Sequence, residues 1–535
     1  MTQAQSPQLD RFVHDRLPDK HDLPEFLALP SDNGPLNCVS FLLDRHLHGP
    51  SAHRHAIKSG ARHWTYQQLG QYVGRIANVL VQDYGVRPGN RVLLRGVNSP
   101  EIAALWLAIQ KIGAVGVVTM SLLRAGELAT ILDLAKPVLA ISDAAIATDL
   151  ETALAGSGGT CQLLTFTDEG GALFAKMATR SADCETCPTL GDDISILAFT
   201  SGTTGAPKAT VHFHRDISAI CETVGAHVIR ATADDVFIGT APLAFTFGLG
   251  GLLILPLHAG ACTVLNPPGT ARDFASAIRD TDASICFTVP TFYQRMLREG
   301  ETDSLKNLRL AISSGESLPH SVRTLWTKRT GVELAEVLGA TEMLHAYAGA
   351  SGSAIPPGYI GPAIPGYKVA ILDSAGRALP PGTPGRLAVK GPTGCRYLND
   401  PRQGEYVQNG WNLTGDMCKT DSSGHIAYLC RADDMIISAG YNISAPEVEN
   451  ALLSHPDVTE CAVIGEADEA RGQIVAAFVV CAATVADPGV MADRLQNHVR
   501  QKIAAYKYPR KVVFVATLPR SESGKLQRYR LNSSG

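Results

Sequence analysis

An apolar stretch, Ile194–Phe199, runs directly into Thr200-Ser201-Gly202-Thr203-Thr204-Gly205-Ala206-Pro207-Lys208. No other feature restricts this chain as much. The glycines let the backbone turn tightly and aim N–H groups inward. Ser201, Thr203 and Thr204 add hydroxyl donors, and Lys208 adds a mobile cation, so the loop is a cradle for phosphate oxygens. It is not a Walker loop, which needs glycine directly before the lysine; Pro207 stands there.

The loop sits in a longer pattern. The segments Ala104–Val138 and Ile194–Leu318 alternate strand-like and helical stretches. Strands are expected at Ile194–Phe199, Val236–Thr240 and Ile285–Val289, and the alternation implies α/β layers with parallel sheets. From Gly358 to Leu429 the chain turns Gly- and Pro-rich, with short strands at Lys368–Leu372, Gly385–Lys390 and Ile426–Tyr428, which reads as a small β-rich subdomain. After Arg431 a compact α+β unit is expected. Its helix Ala445–Leu453 is capped by Ser444 and has Pro446 in the first turn. Strands Val458–Gly465 and Ile474–Val480, a helix Val490–Ile503 and a strand Lys511–Val515 follow. The tail Ser521–Lys525 has loop chemistry.

Bulk properties exclude several classes. The 535 residues need more than one hydrophobic core. The net charge of -4 provides no basic field for nucleic acid or anionic membranes. The apolar runs Ala103–Met120 and Gly248–Leu265 are interrupted by Lys111 and by Pro256 and His258, so both read as buried elements rather than membrane spans. The N-terminus carries no basic region followed by an apolar run, and the 12 cysteines are scattered, so a cytoplasmic chain with reduced thiols is expected. Cys184 and Cys187 form a CxxC without a second pair at zinc spacing and read as a loop coincidence.

Five further constellations carry chemistry. Leu338-Gly339-Ala340-Thr341-Glu342 offers a hydroxyl and a carboxylate, the latter a hard ligand for Mg²⁺. Ser314-Gly315-Glu316-Ser317-Leu318 is a strand-to-helix turn. Thr414-Gly415-Asp416 offers a carboxylate to paired hydroxyls. Arg431-Ala432-Asp433-Asp434 lies at the change of composition, followed by Gly440-Tyr441-Asn442-Ile443. Pro519-Arg520-Ser521-Glu522-Ser523-Gly524-Lys525 ends ten residues before the last residue of the sequence. Each alone is a turn, a cap or a solvated charge as readily as a site.

Together these motifs resemble the adenylate-forming superfamily of acyl-CoA synthetases, luciferases and peptide-synthetase adenylation domains, and the resemblance covers nearly the whole chain. It implies a large N-terminal domain of αβαβα layers with a small β-rich subdomain, residues 1–432, and a small mobile α+β C-terminal domain, residues 433–535, turning about Asp433. It implies ATP held by Thr200–Gly205 and Lys208, by Gly315, Glu316 and Ser317 at adenine, by Gly339 and Thr341, and by Asp416 and Arg431 at ribose. Glu342 would hold Mg²⁺, Lys525 would reach the acid carboxylate and α-phosphate, and Gly440 and Tyr441 would line a CoA channel. Thr341, Glu342, Lys208 and Lys525 are the implied catalytic set. Leu338 stands where many relatives carry an aromatic residue, Cys430 where they carry glycine, and Ser521 where they carry threonine.

The acid pocket is expected at Phe245, Thr246, Phe247 and Gly248, with Ala340 and His345, because Phe245 and Phe247 offer flat apolar walls. Val211-His212-Phe213-His214-Arg215-Asp216 and Thr341-Glu342-Met343-Leu344-His345 resemble benzoate-type CoA ligases. Asp10-Arg11-Phe12-Val13, Leu23-Pro24-Glu25-Phe26-Leu27 and Leu36-Asn37-Cys38 are similar to 2-aminobenzoate-CoA ligases. The expected reaction is ATP-dependent activation of a small aromatic acid and transfer to CoA, with 2-aminobenzoate first among the acids. Benzoate, salicylate, a carrier-protein acceptor and a purely nucleotide-binding protein are the alternatives. A homodimer is one arrangement the sequence allows.

Overall fold

The computed structural model describes residues 5–28, 35–158, 161–167, 171–200, 207–267, 269–302, 305, 307–351, 355–432, 435–438, 441–468, 471–503, 505–520 and 526–531. Among them, two large sheets carry the N-terminal part. One has six strands, in the order Gln162–Phe166, Leu139–Asp143, Arg91–Arg95, Val115–Thr119, Ile194–Thr200 and Lys208–Phe213. It is parallel except at its last pair, where Thr200 stands opposite Lys208. The other has eight strands, with Val236–Gly239, Ile285–Thr288, Leu310–Ser313 and Glu333–Gly339 running parallel through its middle.

The helix Pro100–Lys111 packs within the core and shows why the charged residues near its two ends do not break it. All its residues are buried, Ser99 caps it and Pro100 occupies the first turn. Glu101 is met by Arg62 at 2.5 Å and Lys111 by Asp44 at 2.9 Å, so neither buried charge is left unpaired. The second run, Gly248–Leu265, folds as a π-helical stretch Gly250–Ile254, a short helix Leu255–Ala259 and a strand Cys262–Val264. Among the described residues no helix is long and apolar enough to cross a membrane.

The β-rich region forms a five-stranded sheet around Trp411–Thr420, which pairs with both Gly385–Lys390 and Ile426–Arg431. The C-terminal unit has its own sheet and its own core about Ile436, Val448, Leu452, Val475 and Leu495. Its helix Ala445–Leu453 lies where expected, with the Ser444 side chain accepting from the Glu447 N–H. The last helix begins two residues earlier than expected, at Pro488, because the Asp487 carboxylate accepts from the Gly489 and Val490 N–H groups. The hairpin Val458–Asp468 with Gly472–Cys481 outruns its expected strands, since its ladder continues past the core-facing residues. All the cysteines are free. Burial raises the Cys184 thiol and pushes Cys187 up to about 11, so neither is a thiolate at neutral pH.

Candidate active site

The strand Ile194–Thr200 delivers Thr200 to the sheet end, and the antiparallel return strand places Lys208 opposite it. Residues Ser201, Gly202, Thr203, Thr204 and Gly205 of the expected phosphate loop lie outside the described residues. So do Asp433, Gly440 and Lys525. Thr200 Oγ1 is buried without a partner.

Lys208 Nζ donates to Tyr397 Oη at 3.1 Å and sits 4.6 Å above the Tyr397 ring. The Tyr397 hydroxyl in turn donates to the Glu342 carboxylate. Burial and the neighbouring Glu342 raise the Tyr397 pKa, so it stays a phenol. Thr341 and Glu342 form a 3-10 turn at the end of the strand Glu333–Gly339. The carbonyl of Thr341 accepts from His212 Nε2 at 2.8 Å.

Behind that turn lies a buried ion pair. Arg396 Nη1 meets Asp216 at 2.7 Å, and His212 Nδ1 faces the same carboxylate at 3.4 Å. Burial works to raise the Asp216 pKa, but Arg396, His212 and Arg215 together outweigh it and hold the carboxyl at about 2. The Arg396 guanidinium also lies over the Phe26 and Phe213 rings, at 4.3 and 4.1 Å.

The expected adenine segment follows the strand Leu310–Ser313, and Gly315 takes a positive φ of 88°. Ser314 Oγ donates to the Val337 carbonyl at 2.9 Å, tying the segment to the Glu342 strand. Glu316 lies 3.8 Å from Arg520, which also meets Glu460 at 2.9 Å. The C-terminal tail therefore reaches the adenine segment just before residues 521–525. Asp416 pairs with Arg431 at 2.8 Å across adjacent strands.

Phe247 and His345 lie together in the expected acid pocket, their rings 5.8 Å apart and tilted by 33°. The Phe287 ring lies 5.5 Å from Phe247 and 6.5 Å from His345. Ala340 packs against the same core. Thr246 and Gly248 belong to the short helix Thr246–Leu249, which Phe245 precedes. His345 is 3% exposed and neither ring nitrogen makes a well-formed hydrogen bond. Burial pushes its pKa down to about 4, against a weaker pull from the Phe247 backbone, so the ring is neutral at physiological pH. A separate cavity of about 230 Å³, lined by Asn98, Met120, Thr240, Pro242 and Ala244, opens beside this segment.

Sequence reasoning missed Tyr397, Phe287 and the Arg396–Asp216 pair. Phe287 lay inside an expected strand with nothing to mark its direction. Tyr397 sits in a Gly- and Pro-containing segment with no periodicity.

The chain matches the model of the AMP-binding enzyme over residues 43–396 and that of the AMP-binding enzyme C-terminal domain over residues 447–525. It belongs to the AMP-binding enzyme family. It is similar to the benzoate–CoA ligase of Thauera aromatica, 32% identical over 530 residues, covering 96% of this chain and 99% of the relative. Its fold is similar to that of the anthranilate CoA ligase AuaEII in complex with anthranoyl-AMP, with a TM-score of 0.88 at 30% identity, covering 95% of this chain and 98% of that one. The benzoate CoA ligase from Burkholderia xenovorans LB400 follows at 0.84 and 29%, covering 93% and 99%. This AMP-binding enzyme is an AMP-forming acid–thiol ligase. Its large N-terminal and small C-terminal domains are those of the adenylate-forming fold.

Proposed function

We propose that this enzyme activates an aromatic carboxylic acid as its acyl-adenylate and transfers the acyl group to CoA, with 2-aminobenzoate as the preferred acid. The observation that carries the reading is the neutral His345 imidazole, without a well-formed hydrogen bond, set against Phe247 and Phe287. Flat apolar side chains suit an aromatic ring, and a neutral imidazole offers one acceptor and one donor. An ortho amino group donates to the acceptor nitrogen, which an unsubstituted ring cannot do. The named substrates of the similar ligases, benzoate and anthranilate, favour the same class.

Two anions must meet in the first half-reaction, because the carboxylate attacks the α-phosphate and pyrophosphate leaves. In this reading Lys208 and the Thr200–Gly205 loop hold the leaving phosphates, Thr341 lies beside them, and Gly339 lets the turn approach. Gly315, Glu316 and Ser317 flank adenine. Asp416 accepts from the ribose hydroxyls with Arg431 beside it, and Lys525 bridges the carboxylate and α-phosphate. Glu342 fits Mg²⁺, being a hard oxygen donor separated from Lys208 by the Tyr397 hydroxyl; the remaining ligands would come from the triphosphate. A Mg²⁺ held by Glu342 would supply charge neutralisation for the developing phosphate.

CoA then displaces AMP. Residues 433–535 are proposed to turn about Asp433 between the steps, removing Lys525 from the path and bringing Gly440 and Tyr441 to the thiol channel. A homodimer belongs to the same proposal.

An acyl-CoA assay over benzoate, 2-aminobenzoate, salicylate and fatty acids tests the acid. Highest kcat/KM for 2-aminobenzoate is expected, and fatty acids as the best substrates would overturn the aromatic reading. Acid-dependent pyrophosphate exchange without an acyl-CoA product would point to a carrier-protein acceptor instead. Lys525→Ala should abolish exchange yet let a preformed adenylate react with CoA.

A further inference from the structure

Residues 395–398 lie along the outer edge of the six-stranded sheet. The Val211 N–H donates to the Arg396 carbonyl at 2.8 Å, the Leu398 N–H donates to the Ala209 carbonyl at 2.9 Å, and Thr210 bridges Tyr397. Side chains alternate along such a strand, so Lys208, Thr210 and His212 share one face. Tyr397, opposite Thr210, stands on that face as the diagonal neighbour of Lys208. Arg396 goes to the other face, where it meets Phe213 and Asp216. The backbone of Tyr397 is fixed by Gln403, whose side-chain oxygen accepts from the Tyr397 N–H at 2.8 Å and whose amide donates to the Asp22 carbonyl at 2.9 Å.

Lysine has only donors and a carboxylate only acceptors, so a buried pair left together closes into a direct ion pair. Here the fully buried Tyr397 hydroxyl stands between them: it accepts from Lys208 and donates to Glu342. Among the described residues, Lys208 and Glu342 make no ion pair with each other.

We propose that Tyr397 is a positioning residue that keeps Lys208 and Glu342 apart, leaving the ammonium for triphosphate oxygens and the carboxylate for the metal ion that accompanies them. The inference rests on the roles given above to Lys208 and Glu342. The ring supports Lys208 through its π face and the hydroxyl sets the spacing, so the two contributions can be separated by substitution.

Tyr397→Phe keeps the ring and removes the spacer. Lys208 and Glu342 then close on each other, and each must be pulled free before MgATP binds. The Mg²⁺ concentration for half-maximal pyrophosphate exchange should rise about tenfold, as expected for loss of one charge-assisted hydrogen bond. The KM for the acid should stay within about twofold. A binding readout accompanies this. In the wild type, ATP with Mg²⁺ raises the thermal midpoint more than ATP alone, and Tyr397→Phe should lose that Mg²⁺-dependent increment. Tyr397→His, whose ring also has a donor and an acceptor, should recover part of it and serves if the phenylalanine variant misfolds. A wild-type Mg²⁺ increment in Tyr397→Phe, or no recovery in Tyr397→His beyond Tyr397→Leu, would overturn the proposal. Absence of acid-dependent exchange in the wild type would instead sink the ligase reading, while the thermal comparison still judges Tyr397.

Discussion

The Arg431 guanidinium lies 2.8 Å from the Asp416 carboxylate, directly across two paired strands, and the same nitrogen donates to the Thr414 carbonyl at 2.8 Å. Gly415 makes this possible. A Cβ there would come within 2.6 Å of the guanidinium, and its φ of 77° disfavours any other residue. Burial raises the Asp416 pKa and Arg431 opposes the rise. Under the proposed ribose assignment, the charge of Arg431 favours the ionised carboxylate that would accept from paired hydroxyls.

Asp416→Asn is therefore expected to weaken ATP binding by about 10- to 100-fold, the loss of a charged acceptor shared by two donors. Isothermal titration with ATP measures it. If the variant loses stability but binds ATP as the wild type does, the pair is structural and the ribose assignment fails.

Arg396 is 1% exposed and Asp216 fully buried, so removing one partner strands the other charge. Arg396→Met should cost about 3–5 kcal/mol in urea unfolding. The double variant Arg396→Met, Asp216→Leu should recover most of that cost, because well-packed apolar side chains replace a buried pair at little loss. Failure of the second change to restore stability would mean that Asp216 serves His212 more than it serves Arg396.

How far these features could be read in the sequence follows from physics. The strand Ile194–Thr200, the helix Ala445–Leu453 and the strands of the β-rich region emerged because periodicity, caps and glycine punctuation are local signals. Glu342, Asp416 and Arg431 emerged through motifs. Tyr397 did not, because its meaning lies in a bridge to Thr210, 187 positions earlier in sequence. The π-helical turn at Gly250–Ile254 was equally hidden, since apolar residues packed on all sides leave no period to count. His345 was named for the pocket, but its lack of a well-formed hydrogen bond is a property of packing alone.

Acid should destabilise the enzyme from about pH 6.5 downward. Burial pushes His214 down to about 3 and His258 and His345 to about 4. A histidine with a depressed folded-state pKa favours folding above its unfolded pKa, and that stability drains away as pH falls toward the folded value. Each contributes up to about 1.4 kcal/mol per pH unit in this window. Glu336 acts oppositely: burial raises its carboxyl to about 7, so its contribution is full at low pH and is lost as pH rises toward 7. Three histidines outweigh one carboxyl, and the net slope between pH 4.5 and 6.5 stays positive. Urea midpoints over pH 4.5–7.5 check the sign, and His258→Asn should flatten the slope by about one histidine's share. A flat wild-type profile would mean these rings meet solvent.

The tightest test of the acid pocket is a single methyl group. A Cβ on Gly250 would lie 2.2 Å from His345 Cδ2 and 2.8 Å from Nε2, and Phe287 and Phe247 crowd the imidazole. Gly250→Ala must therefore turn the imidazole rather than shift it freely, since close-packed interiors leave little slack. A Cβ on the adjacent Gly251 would come within 2.4 Å of the Phe287 ring instead. Both variants carry a similar overpacking cost of about 1–3 kcal/mol, so stability alone will not separate them. Specificity will. Gly250→Ala should raise the KM for 2-aminobenzoate about tenfold more than that for benzoate if, as proposed, only the former uses the imidazole, at a price near one hydrogen bond. Gly251→Ala should raise both together by displacing the Phe287 ring. KM for ATP at saturating acid should hold in each. Equal losses for the two acids in Gly250→Ala would show that His345 fills space in the wall and reads no ortho substituent.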